Sequence, residues 1–373
     1  MPLLLDGRGA VVGGAFSAWM VQKIMILNLT APKVRQQSPH NRPTTAPQCP
    51  KLKEKNMVSM IETPVAPHVQ NQGVSPKRIK RIKQAEILIE KVLFVFAAIT
   101  LLTTAGIVFV LVTESYHFFE NVSVFEFFTE TRWTPVIKPS HYGILPLFVG
   151  SLMIAILASL IAMPIGLASA IYMSEFAHKN VRAVIKPLLE LLAGIPSIVY
   201  GFFALTFITP ILQSILPKTE IFNALSASIA MGIMIIPMVA SMSEDAMTAV
   251  PDAMRQGAFA LGTTKLEVAL KVVLPGAFSA VAASFVLAFS RAIGETMIVA
   301  IAAGANPQLS FNPLKSVQTM TGYMVNISLG DIPYGSVAYQ TVFAVGGVLF
   351  GFTFLMNMFS RWTVKKFGRG ING

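Results

Sequence analysis

From residue 92 onward the chain alternates between long apolar runs and short polar connections. Each run is near the ~20 residues that a helix needs to cross the hydrocarbon core of a bilayer. Six spans are predicted, near 92–113, 144–173, 187–213, 222–243, 276–304 and 337–359. The second and third exceed a straight crossing, and Pro164 and Pro196 are expected to kink them. No soluble domain of any size fits between the runs. The pattern upstream is different. Eight prolines, many polar residues and no apolar period lie between Thr30 and Pro76, so residues 1–85 are expected to be a disordered cytoplasmic extension. Gly9 to Leu29 is moderately apolar but broken by Lys23, too short and glycine-rich for a span. It reads either as a weak signal sequence or as part of a stretch, residues 1–56, upstream of a true start at Met57 or Met60. The expected fold class is therefore an all-α membrane protein, with a six-helix transmembrane domain over 86–373 and its core unit at about 144–360.

Composition agrees with this pattern. Apolar residues make up 54% and charged residues 13%, with a mean hydropathy of +0.63. Soluble globular chains carry about 25% charge, so a soluble domain and a wholly disordered chain are both excluded. Cys49 is the sole cysteine, which excludes a disulfide scaffold within the chain. The net charge of +11 would suggest a nucleic-acid partner if the cations formed a patch. They flank the apolar runs instead. With the N-terminus placed in the cytoplasm, sixteen Lys and Arg border the inner face, from Lys77 through the C-terminal tail. Four, Arg132, Lys138, Lys218 and Lys315, fall on the outer loops. That asymmetry follows the positive-inside rule and places both termini in the cytoplasm. The basic balance reads as topology, not as nucleic-acid binding.

Bond-making chemistry is missing from the sequence. There is no Gly-x-x-x-x-Gly-Lys-Ser/Thr loop to cradle a nucleotide, and no Gly-Lys pair anywhere. The five histidines are scattered without metal-ligand spacing, and there is no nucleophile elbow. No cofactor, metal or catalytic residue is expected in this chain.

Two polar interruptions stand out. The first is the connection 244–275 between the fourth and fifth runs. Pro251 suits a first helical turn, and Met254, Ala258 and Leu261 fall on one helical face. Gly262 is suited to a left-handed helix end. Thr264 and Glu267 have capping-box spacing that starts a second helix at once. Leu274-Pro275 closes that helix where the next run begins. Two short helices joined at a glycine are predicted on the cytoplasmic face. On spacing alone they read equally as an amphipathic connection resting on headgroups. The second interruption is Ser290-Arg291-Ala292-Ile293-Gly294-Glu295-Thr296, inside the fifth run. Arg291 and Glu295 are four residues apart, so on a continuous helix they share a face and can pair. A charge near the bilayer centre costs roughly 2.5–3.5 kcal/mol on insertion scales, so both must face protein or a wet cavity. The pair is either a structural lock between spans or a translocation site, where the guanidinium offers a planar fork of donors to an oxyanion.

The connection resembles the signature loop of ABC importer permeases: Glu-Ala-Ala, three residues, Gly, nine residues, Ile-x-Leu-Pro. Gln256, Gly257 and Ala258 occupy the first triplet, Gly262 follows, and Val272 to Pro275 close the pattern. Glutamine replaces the acid, glycine the alanine and Val272 the isoleucine. Glu190 to Gly201, which contains Pro196 and Ser197, resembles the third-span motif of phosphate-importer permeases, and Arg291 to Met297 the fifth-span motif of their PstC-type subunit. The likeness runs from about residue 80 to the C-terminus. It implies a type I ABC importer permease that carries inorganic phosphate across the bacterial inner membrane. Its implied partners are a second, PstA-like permease, two ATP-binding subunits that consume the ATP, a periplasmic phosphate-binding protein and membrane lipid. It implies a substrate pathway of Arg291, Glu295, Ser290, Thr296 and Ser197. It also implies an ATPase-docking loop carried by Pro251, Met254, Gln256, Gly257, Ala258, Gly262, Leu274 and Pro275. A permease for molybdate or sulfate, an ion-coupled secondary transporter using Glu295, and a non-transporting scaffold are the competing readings. Two weaker signals remain. The aromatic-rich loop 114–143 is expected to anchor at the interface, with contact to a binding protein as the alternative. The Gly347–Gly351 spacing is expected to serve close helix packing.

Overall fold

A computed structural model describes residues 76–367 of the 373, with side chains described over 86–363. Residues 1–75, with the signal-like stretch and the alternative starts at Met57 and Met60, lie outside the described residues. The chain divides into two compact units, residues 1–108 and 109–373. The described part of the first is the helix that begins at Pro76. Residues 76–85, expected to be disordered, are thus helical: their Lys and Arg are good helix formers and they extend an apolar helix already nucleated downstream.

The described secondary structure is helical apart from an isolated antiparallel bridge between Trp133 and Tyr142. In chain order the helices are α1 Pro76–Asn121, α2 Val124–Thr129, α3 Leu145–Ile171, α4 Lys179–Ala193, α5 Ser197–Phe203, α6 Thr209–Ile215 and α7 Ala224–Thr248. Then follow α8 Asp252–Ala260, α9 Lys265–Val268, α10 Leu274–Ile293, α11 Met320–Leu329 and α12 Val337–Phe367. Four π-helical segments, Tyr172–Phe176, Ala204–Ile208, Ala269–Val273 and Val299–Ala303, interrupt or extend them. Among the described residues, six helical stretches are long and apolar enough to cross a membrane: Glu86–Asn121, Leu145–Phe176, Ser197–Ile215, Ala224–Thr248, Lys265–Ile293 and Val337–Thr363. We number these spans 1 to 6.

Two predicted spans need correction. The third was expected as one kinked helix over 187–213. The chain instead ends α4 at Gly194 and restarts at Ser197, with Pro196 in an extended conformation (φ −58°, ψ 136°). The Pro ring disfavours a helical conformation in the residue before it, and at Pro196 the run divides, whereas Pro164 and Pro237 are held inside α3 and α7. Polar and apolar residues of α4 alternate at helical spacing, and hydropathy alone joins its apolar residues to those of span 3. The fifth span was expected to run through residue 304, but α10 stops at Ile293, where Gly294 caps it.

The centre of the second unit is the pairing of spans 2 and 4. Lipid tails are as apolar as leucine, so membrane helices associate through close van der Waals packing of small residues. Ala155, Ala158, Ala162 and Gly166 of α3 meet Ala227, Ala230, Val239 and Ala240 of α7 in one buried cluster, Gly166 and Ala240 on its margin. The approach is closest at Gly166, where a Cβ would lie 2.7 Å from Val239 Cβ. Spans 4 and 5 are joined by a fully buried contact between the hydroxyls of Ser243 and Ser284, 3.0 Å apart.

The aromatic loop is also corrected. Phe118, Phe127 and Trp133 are buried rather than spread on an interface, and Trp133 stands edge-on to Tyr323 of α11 with centroids 5.0 Å apart. Edge-to-face rings add cohesion beyond the area they bury. The Tyr323 hydroxyl in turn bonds Thr341 Oγ1 at 2.6 Å, which ties α11 to α12. Phe125 and Phe128 remain exposed.

Candidate functional site: an interrupted fifth span and a two-helix loop

The fifth span carries the polar cluster to a particular depth. Arg291 lies in the last turn of α10, seventeen residues past Leu274, or about 26 Å along the axis. Its Nη1 is 3.9 Å from Sδ of Met238 on span 4. Met238 is fourteen residues into a helix of 25, so Arg291 is level with the middle of that span. A cation also suits a helix C-terminus, where the backbone carbonyls carry partial negative charge. Ser290, one residue earlier, is buried, and its hydroxyl has no hydrogen-bond partner among the described residues.

Gly294 ends the helix, and this changes the geometry of the predicted pair. Glu295 and Thr296 lie outside α10, in non-helical backbone. The Glu295 carboxylate turns forward and accepts from the N–H of Met297 at 3.3 Å. Its backbone carbonyl accepts from Thr321 Oγ1 at 2.6 Å. Arg291 and Glu295 therefore do not lie on one unbroken helix face. Four-residue spacing predicts a pair only on an unbroken helix. Irregular backbone at membrane depth is tolerated where protein or a water-filled cavity surrounds it. Here the following segment is enclosed: Ile298, Val299, Ala302 and Ala303 are buried against spans 3 and 4. Gly201 of span 3 abuts Ile298 and Ile301, and Ser197 lies one turn before it, half-buried.

The connection 249–273 has the two-helix form expected from its spacing. Pro251 is the N-cap of α8, one position earlier than expected, and α8 ends before Gly262. Gly262 has φ +82°, the left-handed conformation that side chains with a Cβ resist. Thr264 Oγ1 accepts from the Glu267 N–H while Glu267 Oε2 accepts from the Thr264 N–H, a complete capping box. Leu274 and Pro275 begin α10, with Pro275 in its first turn. The predicted face of Met254, Ala258 and Leu261 divides. Ala258 turns inward, whereas Met254 is exposed and Leu261 is 86% exposed. Phe259 and Leu266 are exposed with them, and so are Gln256 and Gly257. A loop this polar in backbone and this apolar in exposed side chains presents a surface of the kind that marks an interaction site.

Beneath the loop lies a set of ion pairs that the sequence reading missed. Glu244 of span 4 is fully buried, paired with Arg182 and, at 3.0 Å, with Lys186, both of α4. Lys186 also reaches Asp245 at 2.6 Å, and these two bonds, Asp245's first, hold its ammonium above its ordinary value of 10.5. Arg255 of α8 reaches Glu175 at the end of span 2. A signal for both was present. Glu175 and Glu244 are acids at the ends of apolar runs, on the face that the positive-inside rule fills with cations, and an acid there requires a partner.

Comparison with known proteins gives this arrangement a family. Residues 162–368, over half of the chain, match the family described as binding-protein-dependent transport system inner membrane component. The chain is 36% identical over 246 residues to the probable ABC transporter permease protein YqgH of Bacillus subtilis, covering 66% of this chain and 79% of that protein. It is 34% identical over 263 residues to the phosphate transport system permease protein PstC of Xylella fastidiosa, covering 65% and 79%. Among solved structures, a bacterial alginate ABC transporter in complex with an alginate pentasaccharide-bound periplasmic protein shares the fold. Its TM-score is 0.53 at 13% identity, over 78% of this chain and 96% of that one. The matched region takes in both the two-helix loop and the interrupted span, and the chain belongs to the binding-protein-dependent transport family as a multi-pass permease subunit of an ABC importer.

Proposed function

We propose that the chain is the PstC-type permease of an ATP-driven importer of inorganic phosphate. The observation that carries the reading is Arg291 at mid-depth of span 4, beside a break in the fifth span. A guanidinium is always charged and presents its donors in a plane that matches two oxygens of a tetrahedral oxyanion. The break supplies further polar groups at the same level: Glu295, Thr296 and the buried Ser290 hydroxyl. Glu295 accepts the proton of a protonated oxyanion, or orients the anion by repelling its unprotonated oxygens. Ser197, on the neighbouring span, lines the approach. The resemblance to PstC-type motifs and the PstC relative support phosphate over other oxyanions. Molybdate or sulfate is the second reading, because the two-helix loop is common to permeases of many substrates.

The same proposal assigns the loop. Its exposed Met254, Gln256, Gly257, Phe259, Leu261 and Leu266 dock on a separate ATP-binding subunit, which binds and hydrolyses the ATP, while Ala258, Gly262, Leu274 and Pro275 shape the loop that presents them. Both termini then lie in the cytoplasm, and Pro251 to Pro275 face it. A second, PstA-like permease completes the pore, two ATP-binding subunits power it, and a periplasmic phosphate-binding protein delivers the anion. The test is uptake of labelled phosphate by proteoliposomes holding the full complex, wild type beside Arg291→Gln, with arsenate, sulfate and molybdate as competitors. Loss of uptake with the complex intact, and competition by arsenate alone, are expected. Normal uptake by Arg291→Gln overturns the assignment of Arg291 to the pathway, and competition by molybdate or sulfate overturns phosphate.

A further inference from the structure

We infer that Arg255 is a positioning residue that clasps the first half of the docking loop to the paired spans 2 and 4. This rests on the docking role proposed above. Helix α8 has no buried residue, yet Arg255 within it is only 14% exposed. Its guanidinium is turned toward the membrane-spanning helices and joins three elements. Nε and Nη2 lie 3.3 and 3.2 Å from Glu175 Oε1 at the end of span 2. Nη2 also donates to the Met247 carbonyl at 2.8 Å, and Nη1 to the Val250 carbonyl. The Met247 carbonyl is in the last turn of span 4, where it also accepts from the Val250 N–H, and the Val250 carbonyl lies two residues beyond that helix. Nη1 closes the set on Asp252 of its own helix at 3.1 Å. A lysine has one compact donor group on a flexible stem and cannot satisfy acceptors on three elements together.

What Arg255 holds is already rigid, because spans 2 and 4 interlock at Gly166 and Val239. The other half of the loop is built differently. Gly262 is exposed at φ +82°, with open space around the position of a Cβ. The capping box then makes α9 a helix with its own start. Through Ala269–Val273 that helix leads into α10, which bears Arg291 at its far end. Val268 and Val273 of the second half pack on the ends of spans 2 and 4 and continue into the span that holds Arg291, whereas the α8 half, with no buried residue, is tied to those ends through Arg255. Without the clasp, α8 slides over the ends of the spans and motion imposed on it is not passed to them.

The experiment uses the whole complex in proteoliposomes, with inorganic phosphate as the probe, and reads phosphate moved per ATP hydrolysed. Arg255→Gln and Glu175→Gln are each expected to retain the ATP-binding subunit and to lower that ratio roughly tenfold, within the usual coupling range of contacting residues. The double variant is expected to be no worse than either, and the exchange Arg255→Glu with Glu175→Arg to recover part of the ratio. Arg255→Lys, which keeps the charge without the fork, carries the same test if Arg255→Gln does not assemble. A ratio equal to wild type, additive losses in the double variant, or release of the ATP-binding subunit by both Arg255 variants overturns the inference. Leu261→Asp is the separate control. If it leaves the ATP-binding subunit bound, the docking role fails, whatever Arg255 does. If the wild type moves no phosphate, the substrate reading fails alone. Stimulation of ATP hydrolysis by the loaded binding protein then replaces the transport ratio in the same variants.

Discussion

Glu244 gives a prediction with an unusual sign. Its carboxylate is fully buried, whereas its partners Arg182 and Lys186 are 34% and 30% exposed. The remaining donor is Thr248 Oγ1, 3.2 Å from Oε1. Removing the acid by Glu244→Gln therefore frees two cations that already touch solvent, and Lys186 keeps Asp245. The loss is that of charge-assisted hydrogen bonds, about 1.5–3 kcal/mol. Removing both cations, Arg182→Met with Lys186→Met, strands a buried charge with one hydroxyl, at a cost of about 3–5 kcal/mol. Adding Glu244→Gln to that double variant takes the stranded charge away. The same substitution should thus destabilise the wild type and stabilise the double variant. Reversible unfolding of the purified chain in mixed micelles, with added SDS as denaturant, measures all four corners of the cycle. If Glu244→Gln destabilises both backgrounds, the carboxylate is not held by α4 and the argument is refuted.

Four further outcomes follow from the geometry. The Lys186 ammonium is raised above 10.5 by its two carboxylates, so its contribution is complete below the unfolded value and disappears as pH climbs through the folded one. The alkaline limb of the unfolding midpoint should flatten in Lys186→Met, and an unchanged limb would assign it to other groups. Gly166→Leu forces atoms into Val239, where even a Cβ stands at 2.7 Å, and should cost at least the ~1–3 kcal/mol of ordinary overpacking; an unchanged unfolding midpoint would mean that spans 2 and 4 separate freely. Gly262→Val places a β-branched residue at φ +82° and should lose about 1–2 kcal/mol, read as reduced retention of the ATP-binding subunit, with wild-type retention as the contrary result. Thr264→Ala removes the capping hydroxyl and about 1 kcal/mol, which amide exchange at Glu267 and Val268 would register as faster opening.

Hydropathy made the six spans legible because lipid-facing length is a local property, written in each run by itself. It misplaced the third because α4 contributes Leu188, Leu191 and Leu192 to a run that Pro196 in fact divides. It could not give the geometry of the polar residues 290–296, since a single glycine decides whether residues 291 and 295 belong to one helix. The two-helix loop was legible for the opposite reason. Caps, a left-handed glycine and a helix-starting proline are all local chemistry, and each states its own conformation within four residues. What was local to sequence could be read, and what was local only in space could not.

The ion pairs beneath the loop show the boundary clearly. Arg255 was in plain view, one residue before the Gln256–Ala258 triplet, but its partner is eighty residues upstream. Arg182 and Lys186 were counted only as topological charge, although both are engaged by Glu244 about sixty residues later. Counting cations on one membrane face treats them as equivalent, and they are not. Some meet solvent and lipid headgroups and only orient the chain. Arg182, Lys186 and Arg255 instead neutralise acids that could not otherwise stand at the ends of packed spans. The two roles separate on substitution. Replacing an orienting cation should shift insertion and leave the folded domain intact, whereas replacing one of these three should leave insertion intact and loosen the end of the bundle nearest the loop. Glu175 and Glu244 are therefore the informative residues on this face. An acid among cations, at the edge of an apolar run, identifies which positive charges belong to the fold.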